Sequence, residues 1–419
     1  MRQAPAWRRD VVLYLSGQSL SLFGSAITGY AVIWYVTLKT GSSGQYALLV
    51  IMSSLAMAVT VIPGGILADR HWRKALMIGA DAGIALVTAG LAILMLHGFE
   101  SLGLIALVLC LRGLGGGIQL PAVSAALPQI APPDKLLRVN SINQALQALI
   151  QVAAPALAAV LLTLWPLGWI LMVDVSTAVV GIGITVLIRI PRLVRDPAAP
   201  QPEGLVGYAR HVHEAVWYAW RIPGLRRGFS VAILMLTVVV PFAQMTPVFV
   251  VRLYGRAQWM LAAVEIAWSA GMVVGGLILA AWGGWRNRMA MVMLAAVVIA
   301  ASTAVMGFMP TVWWFAVIMV IGGLALPMAN TPLTTAIQEL IPQAMMGRVI
   351  SFTTLINAVC SPLGLAVFGP VADRLSIVWM ALACGLVGLV VLIGLVIRGG
   401  PGSKLYPPIE PVNRIDADA

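Results

Sequence analysis

Four charged residues interrupt long apolar stretches of this sequence, and charged groups in such places can bind or move protons. Arg112 is the base, and Asp81, Asp174 and Glu265 are the acids. An ionised side chain near the middle of a bilayer is costly unless it faces a cavity or a partner of opposite charge. Arg112 is therefore expected either to serve a functional cavity or to form a structural ion pair.

The three acids differ in their surroundings. Glu265 has alanine and isoleucine neighbours, and an apolar setting favours the protonated carboxyl that a proton carrier needs. A hydrogen-bonded structural acid is the alternative. Asp81 lies near one end of its apolar stretch, where we expect it to neutralise the bases of the preceding loop. Asp174 is expected to pack between helices, with proton coupling as the second interpretation.

A run of amides indicates a polar helix face. Successive amide residues here are 1, 3 and 4 positions apart, and these spacings place all four on one side of a helix. The residues are Asn143, Gln144, Gln147 and Gln151. Amides facing lipid are costly, so this face should line a cavity or a helix interface. A matching face is predicted 210 residues later, at Thr353, Thr354, Asn357 and Ser361. We interpret both faces as sides of a central pathway, with hydrogen bonding between helices as the alternative. Gln244 and Trp34 are further candidates for the pathway.

The sharpest local motif is a short loop, Gly65-Ile66-Leu67-Ala68-Asp69-Arg70-His71-Trp72-Arg73-Lys74. Gly64 and Gly65 are expected to let helices approach closely, as small residues do in membranes. Asp69 can meet a neighbouring helix N-terminus, and the bases are expected to stay among lipid headgroups. A simple positive anchor would not need an acid and a glycine at this spacing.

The elements that carry these residues are membrane-spanning helices. The chain has 419 residues, of which 60% are hydrophobic and 10% charged, against about 25% charged in soluble proteins. Crossing a bilayer takes about 20 residues, and twelve apolar runs are long enough. They lie near 11–38, 44–68, 74–97, 101–127, 138–165, 168–190, 227–252, 258–283, 288–309, 311–338, 347–371 and 375–398. The sequence therefore predicts an all-α membrane protein with twelve transmembrane helices.

The charge distribution predicts the topology. The net charge of +11 comes from Lys and Arg residues that cluster in alternate loops, as they do on the cytoplasmic side of membranes. Both termini are therefore predicted to be cytoplasmic, and no nucleic-acid partner is needed to explain the charge. Cys110, Cys360 and Cys384 lie inside apolar runs without metal-like spacing, so they are expected to be packing residues.

The chain is predicted to form two six-helix halves. Arg138 and Arg348, like Val139 and Val349, stand 210 residues apart, and such a repeat indicates pseudo-symmetric bundles. The predicted organisation is an N-terminal bundle at 1–190, a cytoplasmic linker at 191–226, a C-terminal bundle at 227–398 and a disordered tail at 399–419. The linker should contain an interfacial amphipathic helix at 205–221, with a soluble helix as the alternative.

The sequence lacks the motifs of ATP-driven and hydrolytic proteins. It has no Walker A loop, HExxH, CxxC or nucleophile elbow. His211 and His213 point to different sides of a helix, which argues against a metal site. We therefore expect no enzymatic activity and no cofactor, and we expect an ion gradient or simple equilibration to supply the energy.

The loop motif resembles the signature of the major facilitator superfamily, Gly-x-x-x-Asp-Arg-x-Gly-Arg-Lys/Arg. The matching residues are Gly65, Asp69, Arg70, Arg73 and Lys74, with Trp72 where many members have glycine. The resemblance implies two pseudo-symmetric six-helix bundles and alternating access. It also implies that this loop, with Asp81, is a latch whose contacts differ between inward-open and outward-open states. The counterpart in the second half, at 275–288, lacks the acid, so a second latch there should be weaker or absent.

Further stretches resemble the drug:proton antiporter branch, which includes macrolide-efflux and enterobactin-export proteins. They are Gly17-Gln18, Ser21 to Ser25, Arg112 to Gly116, Pro121-Ala122, Leu136 to Asn140, Glu265 with Gly271-Met272, and Gly347 to Val349. The resemblance implies proton-coupled export of a small amphipathic compound across the bacterial inner membrane. Glu265, Arg112 and Asp174 are the candidate coupling residues, and the protein is expected to be a monomer. A siderophore or lysolipid exporter or flippase, and a non-transporting membrane receptor, are the alternatives.

Overall fold

The computed structural model describes residues 6–70, 72–132, 135–190, 217, 220–285, 287–341 and 343–399, and every regular element in these ranges is a helix. The first half contains α1 (Ala6–Thr40), α2 (Ser43–Arg70), α3 (Arg73–Leu96), α4 (Leu102–Ile130), α5 (Leu136–Leu164) and α6 (Leu167–Leu187). The second half contains α7 (Pro223–Leu234), α8 (Val240–Gln244), α9 (Thr246–Leu253), α10 (Gln258–Trp282), α11 (Arg288–Val305), α12 (Val312–Leu340), α13 (Gln343–Arg374) and α14 (Ile377–Gly399).

Twelve helical spans in the described ranges are long and apolar enough to cross a membrane, which confirms the predicted fold class. Helices α1–α6 are spans one to six, α7–α9 together form span seven, and α10–α14 are spans eight to twelve. Some helices extend beyond the predicted apolar runs. For example, α1 begins at Ala6 rather than near 11, because hydrogen bonds within a helix continue past the segment that lipid covers.

The seventh span departs from the uniform helix expected at 227–252. A π-helical segment, Met235–Val239, follows α7, and a turn at Met245 separates α8 from α9. Pro241 lies just after the π-helical segment and has no N–H to donate to a preceding carbonyl. Gly364 of α13 packs closely against Thr237 and Pro241 in this irregular segment. The glycine therefore allows α13 to approach span seven at the point where its α-helix is interrupted.

The described residues group into two compact units. One contains those within 1–202 together with 245–266 and 365–374, and the other contains those within 203–244, 267–364 and 375–399. The domain boundaries predicted from the sequence stay predictions. Most of the predicted linker helix at 205–221 and nearly all of the predicted tail at 399–419 lie outside the described residues.

Within the first unit, α2 and α4 meet at glycines. A Cβ atom at Gly113 would overlap the backbone oxygen of Ser53, and one at Gly64 would lie 2.5 Å from the Gly117 oxygen. Real Cβ atoms do not approach backbone so closely, so these positions need glycine. In lipid there is no hydrophobic driving force between helices, because the lipid tails are as apolar as the side chains. The van der Waals contact between closely approaching backbones holds the helices together instead.

Within the second unit, α10 and α12 meet in the same way. A Cβ atom at Gly271 or Gly275 would overlap the backbone of Val320 or Leu324. These helices are the second and fourth spans of their half, as α2 and α4 are of theirs. The repeated glycine crossing is the packing counterpart of the 210-residue repeat in the sequence.

Candidate functional site

Arg112 and Asp174 form an ion pair inside the first unit. An Arg112 Nη1 donates to Asp174 Oδ2 and to Thr88 Oγ1. The Ser25 hydroxyl donates to Asp174 Oδ1 at 2.9 Å. The Asp174 side chain is 2% exposed and that of Arg112 11%, so the two charges compensate each other away from solvent. The structure thus contains the ion pair that the sequence offered as one of two interpretations of Arg112.

This cluster links α1, α3, α4 and α6, each of which contributes one side chain. Every carboxylate oxygen of Asp174 has a donor, which is the condition under which a buried charge is tolerated. Sequence reasoning treated Arg112 and Asp174 separately. Both are single charges of opposite sign in long apolar runs of the same half. This shared property could have predicted from the sequence that they pair.

Asp81 has neutral partners. Its Oδ1 accepts hydrogen bonds from Ser21 Oγ at 3.1 Å and from Gln119 Nε2 at 2.6 Å. The residue is 4% exposed. The sequence placed Asp81 beside the basic loop as its neutralising acid; the structure surrounds it instead with α1 and α4, because it lies two turns into α3.

Glu265 of α10 is paired with a tyrosine of α1. The Tyr30 hydroxyl donates to Glu265 Oε1 at 3.2 Å, and the Tyr30 ring lies 5.4 Å from that of Trp34. Glu265 is half-buried, and the buried Tyr46 is close enough to interact with it electrostatically. Among the described residues no base forms a salt bridge with Glu265. Trp34, a predicted pathway residue, is 1% exposed and packs in this cluster.

Two bases of the loop motif, Arg73 and Lys74, bind backbone carbonyls near the C-terminal ends of helices. Arg73 donates to Ala68 O at 3.1 Å and to Ala125 O at 2.7 Å. Lys74 donates to Val186 O at 2.7 Å and to Ile188 O at 2.9 Å. Helix C-termini carry unpaired carbonyls and partial negative charge, so these contacts are favourable. The expectation that the bases stay among lipid headgroups is therefore corrected for Arg73 and Lys74.

The two glycines before the loop have different surroundings. Gly64 makes the close contact with α4, whereas a Cβ atom at Gly65 would have no described atom within 4 Å. Among the described residues, the close approach expected of both glycines is therefore seen for Gly64 and not for Gly65. The side chains of Asp69 and Arg70 lie outside the described residues, and their role in a latch stays a prediction.

The amide face predicted on α5 is open. Gln144, Gln147 and Gln151 are exposed, and Asn143 is half-buried. Asn140, one turn before Gln144, is also exposed and extends the stripe. Ile142 and Leu149 lie on the other side of α5 and are 44% and 64% exposed. The helix thus has one polar and one apolar uncovered face, and lipid is suited only to the apolar one.

The matching face on α13 is only partly open. Asn357 is exposed and donates to Thr353 O at 2.8 Å. Ser361 is buried and donates to Gln244 Oε1 of α8 at 2.8 Å. The side chain of Thr354 lies outside the described residues. Ser361 and Gln244, both predicted as pathway residues, therefore bond to each other.

A cavity of about 100 Å³ lies within the second unit and brings two predicted residues together with one that sequence reasoning missed. Thr353 and Asn357 of α13 and Asn330 of α12 are its polar lining residues, and the other walls are apolar. A polar cluster in the tenth apolar run, Asn330-Thr331 with Thr334-Thr335, was an available signal. In the described chain no group of three or more His, Cys, Asp or Glu side chains is arranged to hold a metal ion.

The family model of the Major Facilitator Superfamily matches residues 14–365. The chain belongs to this superfamily. The match covers nearly all of the first six spans, the loop motif, the buried ion pair and the second half as far as span eleven. Members are transporters, so this major facilitator protein is a multi-pass membrane transporter of a small molecule and not an enzyme.

Two relatives are similar over most of the chain. Macrolide efflux protein A of Streptococcus pyogenes is 29% identical over 373 residues, which are 88% of this chain and 91% of the relative. The enterobactin exporter EntS of Citrobacter koseri is 26% identical over 383 residues, covering 89% and 87%. The resemblance to a branch with macrolide-efflux and enterobactin-export proteins is confirmed.

A solved structure shows the same fold. The crystal structure of the nucleoside transporter NupG aligns with a TM-score of 0.70 over 93% of this chain and 98% of that one, at 13% identity. Since identity is this low, the likeness supports the major facilitator fold alone.

Proposed function

We propose that this protein is a proton-coupled exporter of a small amphipathic compound, of macrolide or related drug type, that works by alternating access. The observation that carries the proposal is the combination of an open amide face on α5 with a span carboxyl, Glu265, whose hydrogen-bond donor is the neutral Tyr30. The names of the two relatives support the direction and class of substrate.

The substrate pathway in this proposal uses the amide stripe of α5 and the polar lining of the second-unit cavity. Gln144, Gln147 and Gln151 offer both donors and acceptors. Asn330, Thr353 and Asn357 do the same beside apolar walls. A mostly apolar surface with a few polar groups suits an amphipathic ligand.

Glu265 is the proposed proton carrier. Asp174 is compensated by Arg112, and Asp81 accepts from two neutral donors. Glu265 lies on α10 among apolar neighbours, where the ionised carboxyl is costly and gain of a proton removes that cost. Arg112 and Asp174 are proposed to act as a pair that responds to the same event through α1, which carries both Ser25 and Tyr30.

The proposed setting is the bacterial inner membrane, with both termini in the cytoplasm and the protein acting as a monomer. Under this topology the loop at 65–74 is cytoplasmic and acts as a latch, and the turn between α1 and α2 is on the outer side. The proposed domains are the bundles at 1–190 and 227–398, joined by the linker at 191–226.

The proposal is tested with purified protein in liposomes that carry an imposed pH gradient. A macrolide should move against its concentration gradient only when the pH gradient is present. Glu265→Gln should abolish this movement, while Glu100→Gln, which changes an exposed acid outside the spans, should not. Gradient-driven movement that survives Glu265→Gln would show the proton role to be wrong.

A siderophore exporter is the second candidate, since the enterobactin exporter is similar over nearly the whole chain. The two candidates are distinguished in an efflux-deficient bacterium by measuring the accumulation of drugs and of a catecholate siderophore. Glu265→Gln is the inactive control. Movement of neither solute would contradict both substrate assignments.

A further inference from the structure

The acidic half of the loop motif occurs twice in the sequence. Gly65-Ile66-Leu67-Ala68-Asp69-Arg70 ends α2, and Gly369-Pro370-Val371-Ala372-Asp373-Arg374 ends α13. Both segments have glycine, alanine, aspartate and arginine at the same spacing. Spans two and eleven cross the membrane in opposite directions because one is even-numbered and the other odd. The two segments therefore belong to opposite faces of the membrane, and under the proposed topology the first is inner and the second outer.

Asp373 caps the N-terminus of α2. Its carboxylate accepts hydrogen bonds from the backbone N–H groups of Ser43 at 2.7 Å and Gly44 at 2.9 Å, and from the Ser42 hydroxyl at 2.6 Å. The first N–H groups of a helix have no partner within the helix and carry partial positive charge. An aspartate from α13 thus satisfies donors that α2 cannot satisfy itself.

Arg252 at the end of α9 completes the contact. Its Nη2 donates to Asp373 Oδ1, its Nη1 to Ala372 O at 2.7 Å and its Nε to Gly41 O at 2.8 Å. Gly41 has φ +65°, which ends α1 in the left-handed conformation that glycine favours. One guanidinium therefore joins the α1–α2 turn to the C-terminal end of α13.

The two copies of the segment differ in packing. A Cβ atom at Gly369 would overlap that of Ala47 on α2, so α2 and α13 are in tight contact at the outer end. A Cβ atom at the corresponding Gly65 would have no described atom within 4 Å. The outer copy is engaged in this structure, whereas no described residue packs closely against the glycine of the inner copy.

We propose that Gly369–Arg374 is an outer latch, in which Asp373 and Arg252 are positioning residues that hold the outer ends of α2, α9 and α13 together. The outer side opens only when Asp373 releases the N-terminus of α2. The latch is the outer counterpart of the loop motif at the inner end of α2. This inference rests on the alternating access of the proposed function.

The test measures cysteine reactivity in protein whose Cys110, Cys360 and Cys384 are replaced by alanine. Ala47→Cys, at a position 1% exposed, reports the outer side in intact cells treated with a membrane-impermeant maleimide. Asp373→Asn and Arg252→Gln should each raise its labelling rate about tenfold, the scale expected for loss of a charge-assisted hydrogen bond. Val251→Cys, at the same end and 8% exposed, repeats the measurement if Ala47→Cys impairs folding.

A second reporter cysteine distinguishes two roles of Asp373, control of opening and local capping of α2. Asn140→Cys is exposed near the inner end of α5 and is labelled in inverted vesicles. If the latch governs opening, Asp373→Asn should slow this labelling severalfold, since outer opening closes the inner side. Faster outer labelling with unchanged inner labelling would overturn the gate, and unchanged outer labelling of folded Asp373→Asn would overturn the latch.

The matched control is Glu100→Gln, which removes a different outer ion pair, Lys39 with Glu100, and should change neither rate. Neither readout uses a substrate or a pH gradient. Failure of export would therefore contradict the proposed function without affecting the result for the latch.

Discussion

At the scale of single residues, the first unit satisfies its buried charges by hydrogen bonding across helices. Asp174 has Arg112 and Ser25 as donors, and Asp81 has Ser21 and Gln119. Glu265, with the Tyr30 hydroxyl, lacks a charged donor among the described contacts. Asp81 also has only neutral donors, but it accepts two hydrogen bonds where Glu265 accepts one. Glu265 is therefore the carboxyl whose ionised form has the fewest described donors, and the one that can change protonation at the lowest cost.

Removing one member of the buried pair should destabilise the protein strongly. Asp174→Asn leaves the Arg112 charge without compensation, and we expect a loss of about 3–5 kcal/mol in the free energy of unfolding. Thermal unfolding in detergent, followed by size-exclusion chromatography, gives the measurement. The double variant Arg112→Met with Asp174→Leu should regain much of the loss, because neither charge remains. If Asp174→Asn unfolds at the same temperature as the wild type, the ion pair does not contribute to stability.

The exposed ion pair between Lys39 and Glu100 should contribute slightly to the stability of the fold, and acid should remove this contribution. Hydrogen bonds from Lys39 and then Tyr35 lower the pKa of Glu100 below its ordinary value of 4.5. A lowered pKa in the folded state means that the contribution is present above pH 4.5 and is lost as the pH falls through the folded value. Glu100→Gln should therefore lower the unfolding temperature slightly at pH 7 and not at all near pH 3. A difference that persists unchanged in acid would contradict this assignment.

At the scale of elements, close helix crossings depend on particular glycines. Gly64 and Gly113 between α2 and α4, and Gly271 and Gly275 between α10 and α12, leave no room for a Cβ atom. Hydropathy predicts the spans themselves, because helix formation in lipid is local and every backbone group must be satisfied within the span. It does not say which of two adjacent glycines faces a neighbouring helix, and Gly64 rather than Gly65 does so.

Two adjacent substitutions test the crossing of α2 with α4. Gly64→Ala should destabilise the protein by about 1–3 kcal/mol, because its Cβ atom must displace the backbone of α4. The Cβ atom of Gly65→Ala meets no described atom within 4 Å. This variant should be neutral or stabilising by up to about 1 kcal/mol, since alanine favours helix more than glycine does. Unfolding temperatures in the same detergent give the comparison. Equal temperatures for the two variants would contradict the crossing.

At the scale of the whole molecule, the proposed transport pathway requires that water reach the polar face of α5 and not the apolar one. Cysteines at Gln144, Gln147 and Gln151 should react quickly with a water-soluble thiol reagent. Cysteines at Ile142 and Leu149, which are also exposed but lie on the other face, should react slowly because lipid covers them. Bound substrate should protect the first set. Slow reaction with the thiol reagent at all five positions would contradict the pathway. Hydrogen bonding between helices would then be the role of the amides.

The sequence by itself determined the twelve spans, the all-helical class and the superfamily. Apolar length and a short loop motif carry that information, and both are local properties of the chain. The tertiary structure decided the pairing: Arg112 with Asp174 at a separation of 62 residues, Tyr30 with Glu265 at 235, and Gly44 with Asp373 at 329. Such contacts depend on how helices are rotated and shifted against one another, which close packing at glycines fixes. Composition and spacing therefore predicted which residues carry charge inside the spans, and packing determined their partners.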